Sequence, residues 1–203
     1  MGYSISWVAT KGVTEDQILR KLGLSRTGQF GEYAKHNISG ATLPSGWFLL
    51  VARGCDHPIL QPEVLADLAQ NGCRVVASSI EEHVMHCSVE EWQNGIRVWR
   101  VEHNAQNGML HLKAEGVLPE GYQEVKITYM AHQNAEGGEK ADVDYYFEIP
   151  LQTAKNIAGF KHDEQMTGSE PVRFEAMTGR WITDAGRTAS KVESTRPWWR
   201  LWR

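Results

Sequence analysis

The chain is short of cysteine, of excess basic charge and of long apolar runs, and each shortage removes a class of protein. Its three cysteines (Cys55, Cys73 and Cys87) make an odd number with no Cys-x-x-Cys spacing. That excludes a disulfide framework or a zinc ribbon and fits reduced thiols in a cytoplasmic protein. Lysine and arginine total 21 against 25 aspartates and glutamates, a net charge of −4 with a pI near 6.1. Displacing counterions from a phosphate backbone needs the opposite sign, so no nucleic-acid partner is expected. No stretch approaches the ~20 apolar residues of a membrane-spanning helix. The opening MGYSISWVAT has neither the basic nor the apolar region of a signal peptide. Phosphate-cradling loops are missing as well: the Gly40 to Gly46 spacing runs into Trp47, where a P-loop has Lys followed by Ser or Thr. No Gly-x-Ser-x-Gly elbow presents a serine.

What is present suits one folded body. Hydrophobic residues make up 41% of 203, enough for a single core and too many for a disordered chain. Residues 3–9 alternate, with Tyr3, Ile5, Trp7 and Ala9 on one side, which predicts a half-buried strand. Thr14 with Gln17 forms a capping box for a helix carrying Ile18, Leu19 and Leu22, stopped by Gly23. The Gly-, Ser- and Thr-rich segment 24–45 shows little periodicity and reads mostly as loop. Residues 47–52 and 73–80 predict strands on either side of a helix opened by Pro62, a succession compatible with a parallel crossover or an antiparallel arrangement. Segments 96–103 and 109–115, flanking Asn107-Gly108, predict a hairpin with Leu110, Leu112 and Ala114 inward. A helix is expected over 119–134, a strand over 142–149, and a last helix from Pro150 to Gly159. The total is an α+β domain over residues 1–183, built on a mixed, mainly antiparallel sheet of about six strands with about four helices.

The segments Gly2-Tyr3-Ser4-Ile5-Ser6-Trp7, Gly46-Trp47-Phe48-Leu49-Leu50-Val51 and Glu81-Glu82-His83-Val84-Met85, with Trp92 and Arg97-Val98-Trp99, resemble a family of uncharacterised bacterial proteins over roughly the first 160 residues. The resemblance implies a bacterial cytoplasm and brings no catalytic residue, cofactor or metal with it.

The densest set of chemically capable side chains is Glu82, His83, His86 and Cys87. Two histidines three apart converge on one face of a helix and diverge on a strand, so a metal- or thiol-dependent hydrolase needs a helix at this point. A strand turns the same residues into a pleated edge with exposed histidines. Cys87 beside His86, and the Cys55-Asp56-His57 run, meet the same objection, because chain neighbours on a strand point apart. The acidic pairs Glu81-Glu82 and Glu90-Glu91 split across strand faces and read as solvated surface.

Beyond residue 183 the composition changes. A polar stretch from 184 ends in Arg196-Pro197-Trp198-Trp199-Arg200-Leu201-Trp202-Arg203, and residues 187–203 hold five basic side chains against one acid. Burying even two indoles is worth several kcal/mol at ~25 cal/mol per Å², so this tip calls for a receiving surface. Three receivers compete: a groove of the same chain, a partner protein for which Trp198, Trp199, Arg200, Trp202 and Arg203 serve as anchors, and an anionic membrane surface. With no legible catalytic set, the leading expectation is a protein-interaction module of the adaptor or toxin-neutralising kind that uses its folded surface and this tip.

Overall fold

The computed structural model describes residues 2–164 and 172–181. The tip with Trp198, Trp199, Arg200, Trp202 and Arg203, and the boundary expected at 183, lie outside the described residues. Nine strands occur among those described: β1 (Ser4–Lys11), β2 (Leu24–Gly31), β3 (Ile38–Thr42), β4 (Phe48–Arg53), β5 (Arg74–Glu81), β6 (His86–Gln93), β7 (Ile96–Asn104), β8 (Lys113–Gly116) and β9 (Phe174–Gly179). Four α-helices accompany them: α1 (Glu15–Leu22), α2 (Pro62–Leu68), α3 (Tyr122–Ala135) and α4 (Glu148–Ala158). The strands form one sheet in the order β2-β9-β3-β4-β1-β5-β6-β7-β8, and every neighbouring pair is antiparallel. The α+β class holds, with nine strands where about six were expected and no parallel neighbours.

Strand β1 is the seam. It pairs with β4 on one side and β5 on the other. Its side chains alternate between two apolar layers: Ile5, Trp7 and Ala9 enter one, Val8 the other. Helices α3 and α4 supply Tyr122, Val125, Leu151 and Ala154 to the layer that holds Trp7, while α1 and α2 supply Ile18, Leu22, Leu65 and Leu68 to the opposite layer. Each such large side chain contributes about 1.5–3 kcal/mol on burial. Strands β4 and β5 run parallel to one another because α2 carries the chain over β1.

Local signals explain the elements. The Thr14 hydroxyl accepts the Gln17 N–H at 3.4 Å, the Gln17 side chain accepts the Thr14 N–H at 2.9 Å, and Gly23 ends α1 in the left-handed region. Hairpin β6–β7 turns on Asn94 and Gly95, with φ of 51° and 76°, the two-residue turn whose twist matches paired strands. Segment 24–45 is a correction: it contains β2 and β3. Strand β2 is an exposed edge interrupted by a bulge between Arg26 and Phe30, so it carries no apolar alternation to read. Segment 142–149 is a second correction. Residues 142–147 are a connector in which Asp144 accepts the Phe147 N–H and the Gln133 side chain accepts the Tyr145 N–H, leaving Val143 exposed, and Glu148 and Ile149 already open α4. Ala114 is exposed, not inward. Glu90 and Glu91 do split across the faces, but both are buried. Arg74, Gln93 and Trp99 donate to Glu91, and Arg97 and Arg100 neutralise Glu90.

No helix among the described residues is long and apolar enough to cross a membrane. Replacing Thr14 by alanine removes the cap and is expected to cost about 1 kcal/mol, read as a fall in melting temperature of roughly 3 °C. An unchanged melting curve would show that α1 needs no cap.

Candidate functional site

The segment that carried the enzymatic expectation is a hairpin connection. Strand β5 ends at Glu81, Glu82–Val84 form a 3-10 turn, Met85 takes a left-handed conformation with φ of 48°, and β6 starts at His86. His83 therefore stands on the turn, exposed, with Nδ1 2.5 Å from Glu81 Oε1. His86 is a strand residue opposite Glu81 and Asn104, and Cys87 points to the other face, fully buried. Glu82 turns toward Tyr3 and His162 instead. The four proposed hydrolase residues, Glu82, His83, His86 and Cys87, do not converge. Among the described residues, no group of three or more His, Cys, Asp and Glu side chains is arranged to hold a metal ion.

Cys87 has other company. Directly across the ladder lies His103, equally buried. The Cys87 thiol donates to the Phe147 carbonyl at 3.2 Å, and burial, reinforced by the nearby Glu148 and Asp144, pushes its pKa well up. It is a neutral core thiol. His103 faces an acceptor at each ring nitrogen: the His111 carbonyl 2.7 Å from Nδ1 and Asp144 Oδ2 2.9 Å from Nε2. Both ring nitrogens of this buried histidine are thus within hydrogen-bond reach of an oxygen. The contact with Asp144 ties β7 to the connector that leads into α4.

A second buried histidine closes the neighbouring corner. His162 Nε2 lies 2.7 Å from Glu82 Oε1, the other Glu82 oxygen accepts the Tyr3 N–H at 2.6 Å, and the Tyr33 hydroxyl donates to the His162 carbonyl at 2.5 Å. Burial pushes the Tyr33 pKa up, with Tyr3 and the carboxylates adding to it. Beside it, Lys161 is buried and meets Glu148, Asp163 and Glu164 at 3.0, 2.9 and 3.3 Å. Burial alone would lower its pKa, but these carboxylates outweigh burial and raise it. On the opposite face Cys55 is half-buried, its pKa raised by burial and only partly offset by a hydrogen bond with Ser4. Glu81 is drawn up by burial, yet hydrogen bonds from Ser4, His83 and Cys55 hold it below the usual carboxylate range.

The register shows that these groups share one end of the sheet. Ser4 lies opposite Glu81, Ile5 opposite Arg53, Glu81 opposite His86, His86 opposite Asn104 and Glu102 opposite Lys113. The chain segments at this end are 53–57, 81–86, 102–113, 136–148 and 161–164. Together they contain eleven acidic side chains against four basic, a net −7, and six of the eight histidines. The described residues 2–164 and 172–181 carry 22 acids and 16 bases, or −6, so the whole of their charge imbalance sits here. Six of the eleven acids are exposed: Asp56, Glu136, Glu139, Asp142, Asp163 and Glu164. Two of the large exposed apolar side chains, Val84 and Val143, lie among them.

A linear reading of the chain misses this collection. Its acids are scattered in five segments, and only the strand order brings them together. His103, Asp144, Lys161 and His162 carry no local motif. Comparison of the sequence with protein-family models and with curated proteins, and of the structure with solved structures, gives no match.

Two measurements check this arrangement. A thiol reagent applied to the native protein should modify Cys55 and reach Cys87 and Cys73 only on unfolding; fast native labelling of Cys87 would contradict its place in the core. Burial lowers the pKa of His57, His86 and His111 in the folded state. Below about pH 6.5 the unfolded chain accepts protons that the folded chain refuses. Stability is therefore fully present above that value and is lost as pH falls through the folded values. The melting temperature should drop between pH 7 and pH 5, and less steeply in a His86→Gln variant. A flat profile would contradict it.

Proposed function

We propose that this protein is a non-enzymatic protein-binding module of the adaptor or toxin-neutralising kind, and that the acidic end of its sheet receives a cationic partner protein. One observation carries the reading: the −7 charge gathered on five connecting segments at a single end, set on strands that are hydrogen-bonded into a rigid sheet. A surface of one sign attracts an oppositely charged protein over about a Debye length, ~10 Å at 0.1 M salt, and orients it during approach. Exposed Val84 and Val143 give such a contact the apolar area that charge alone lacks.

The rival reading, a hydrolase built on Glu82, His83, His86 and Cys87, has little physical support. Its nucleophile would be a buried thiol that donates to a backbone carbonyl, and activation calls for the reverse.

The test compares two charge-reversed variants of the full chain. Glu136→Lys, Glu139→Lys and Asp142→Lys combined change the acidic end; Glu120→Lys with Glu124→Lys changes the start of α3, at the other end of the sheet. Immobilised wild type should retain a defined set of basic proteins from bacterial extract at low salt. The first variant should lose them and the second keep them, with all melting temperatures alike. Equal retention by both would remove the acidic end from the reading.

A further inference from the structure

Among the described residues, β2 and β8 close the sheet at its two edges, and the two edges are built differently. Strand β2 is broken by the bulge between Arg26 and Phe30, a device that turns an edge away from further pairing. Strand β8 keeps an unbroken register with β7: Trp99 lies opposite Gly116, Arg100 opposite Glu115, Val101 opposite Ala114 and Glu102 opposite Lys113. In that same register the Val117 N–H donates to the Val98 carbonyl at 3.0 Å. Hydrogen-bonded pairs alternate along an antiparallel ladder, so Lys113 and Glu115 turn their backbone groups toward β7. Ala114, between them, turns its N–H and C=O away from the sheet. Ala114 is exposed, and its methyl group is too small to screen them.

We propose that β8 pairs with the β8 of a second copy of this chain, antiparallel about a two-fold axis at Ala114, so that two sheets run on as one. The two Ala114 residues exchange the N–H and C=O groups that each chain leaves outward. Charge selects both the occupant and the register. Centring on Ala114 sets Lys113 of each copy directly opposite Glu115 of the other. Both side chains are exposed, 63% and 39%, and within one chain they already meet at 2.7 Å, so the four charges form a ring of alternating sign. Outward-facing residues must meet outward-facing residues, which makes the neighbouring registers two-residue steps. One step sets Glu115 against Glu115 and the other Lys113 against Lys113, and like charges directly opposite are destabilising. Val117, 77% exposed just beyond β8, falls opposite His111 of the other copy and gains cover. A contact this short is weak, with a dissociation constant on the order of 100 μM. It goes beyond the binding reading of the acidic end, and neither depends on the other.

Sedimentation equilibrium of the full chain tests it. The weight-average mass should rise reversibly from 22.9 kDa toward twice that value between about 10 μM and 1 mM protein. Lys113→Glu alone and Glu115→Lys alone should each weaken association about tenfold, because each sets like charges opposite one another in both pairs. Mixing the two single variants should restore it, and so should the exchange of Lys113→Glu with Glu115→Lys in one chain. Ala114→Pro removes an N–H that faces away from β7; it should abolish the dimer at an unchanged melting temperature. If that variant fails to fold, the mixing experiment, which leaves the backbone intact, decides alone. A protein that stays monomeric over the whole range overturns the proposal. A dimer indifferent to the single charge reversals also overturns it, by placing the contact elsewhere on the chain, and so do single variants that fail to recover on mixing.

Discussion

Strand β1 is hydrogen-bonded along both edges and covered on both faces, and the rest of the molecule is organised by that double enclosure. Ser6 and Thr10, its buried polar residues, are satisfied by the Gly54 and Phe48 carbonyls. A strand with no free edge and no wet face must be apolar on both sides, which Ile5, Trp7, Val8 and Ala9 provide. Because its neighbours β4 and β5 both run against it, their ends and its beginning fall together. The chain is then obliged to place the turns after β4 and β5, and the start of β6, in one region. The acidic end arises from strand order rather than from any local motif.

A fixed scaffold beneath scattered connecting segments is an economical way to present charge. Several of the carboxylates are satisfied within the fold: Lys161 draws Glu148, Asp163 and Glu164 together, Asp144 meets the buried His103, and Glu82 holds Tyr3 and His162. The exposed Glu136, Glu139 and Asp142 lie outside these pairings and remain available to a partner. Buried ion pairs add little net stability but are costly to break singly, so they act here as fixings that hold the loops at 138–147 and 161–164 to the sheet.

Much of the framework could be read linearly, because it is written in short-range signals. The strand at 3–9, the Thr14–Gln17 box, the Gly23 stop and the Pro62 helix start appear where the residues predict them, although the strand is covered on both faces where a half-buried one was expected. Signals failed where tertiary contacts replaced them. Apart from Leu24, Phe30 and Ile38, the residues of β2 and β3 are small or polar, because an edge strand and a strand crowded against Met177 and Leu50 at Gly40 have little use for large alternating side chains. Val143, Tyr145, Phe147 and Ile149 mimic a strand period, but side-chain hydrogen bonds from Asp144 and Gln133 bend that segment into a connector. The candidate site was least legible of all: the visible cluster at 82–87 comes apart in space, whereas His103, Asp144, Lys161 and His162 meet across 41 or more positions or carry no pattern.

Strand β9 sits between β2 and β3, yet it is separated from them in the chain by more than a hundred residues. Until Phe174–Gly179 arrive, β2 has no neighbour in the sheet and β3 exposes an unpaired edge. Placement of β2 therefore waits on the last strand among the described residues, the kind of long-range closure that makes a chain slow and vulnerable to self-association on the way. A nascent or nicked chain lacking β9 would carry β2 as a loose flap, and its sheet would be open to the edge of another molecule.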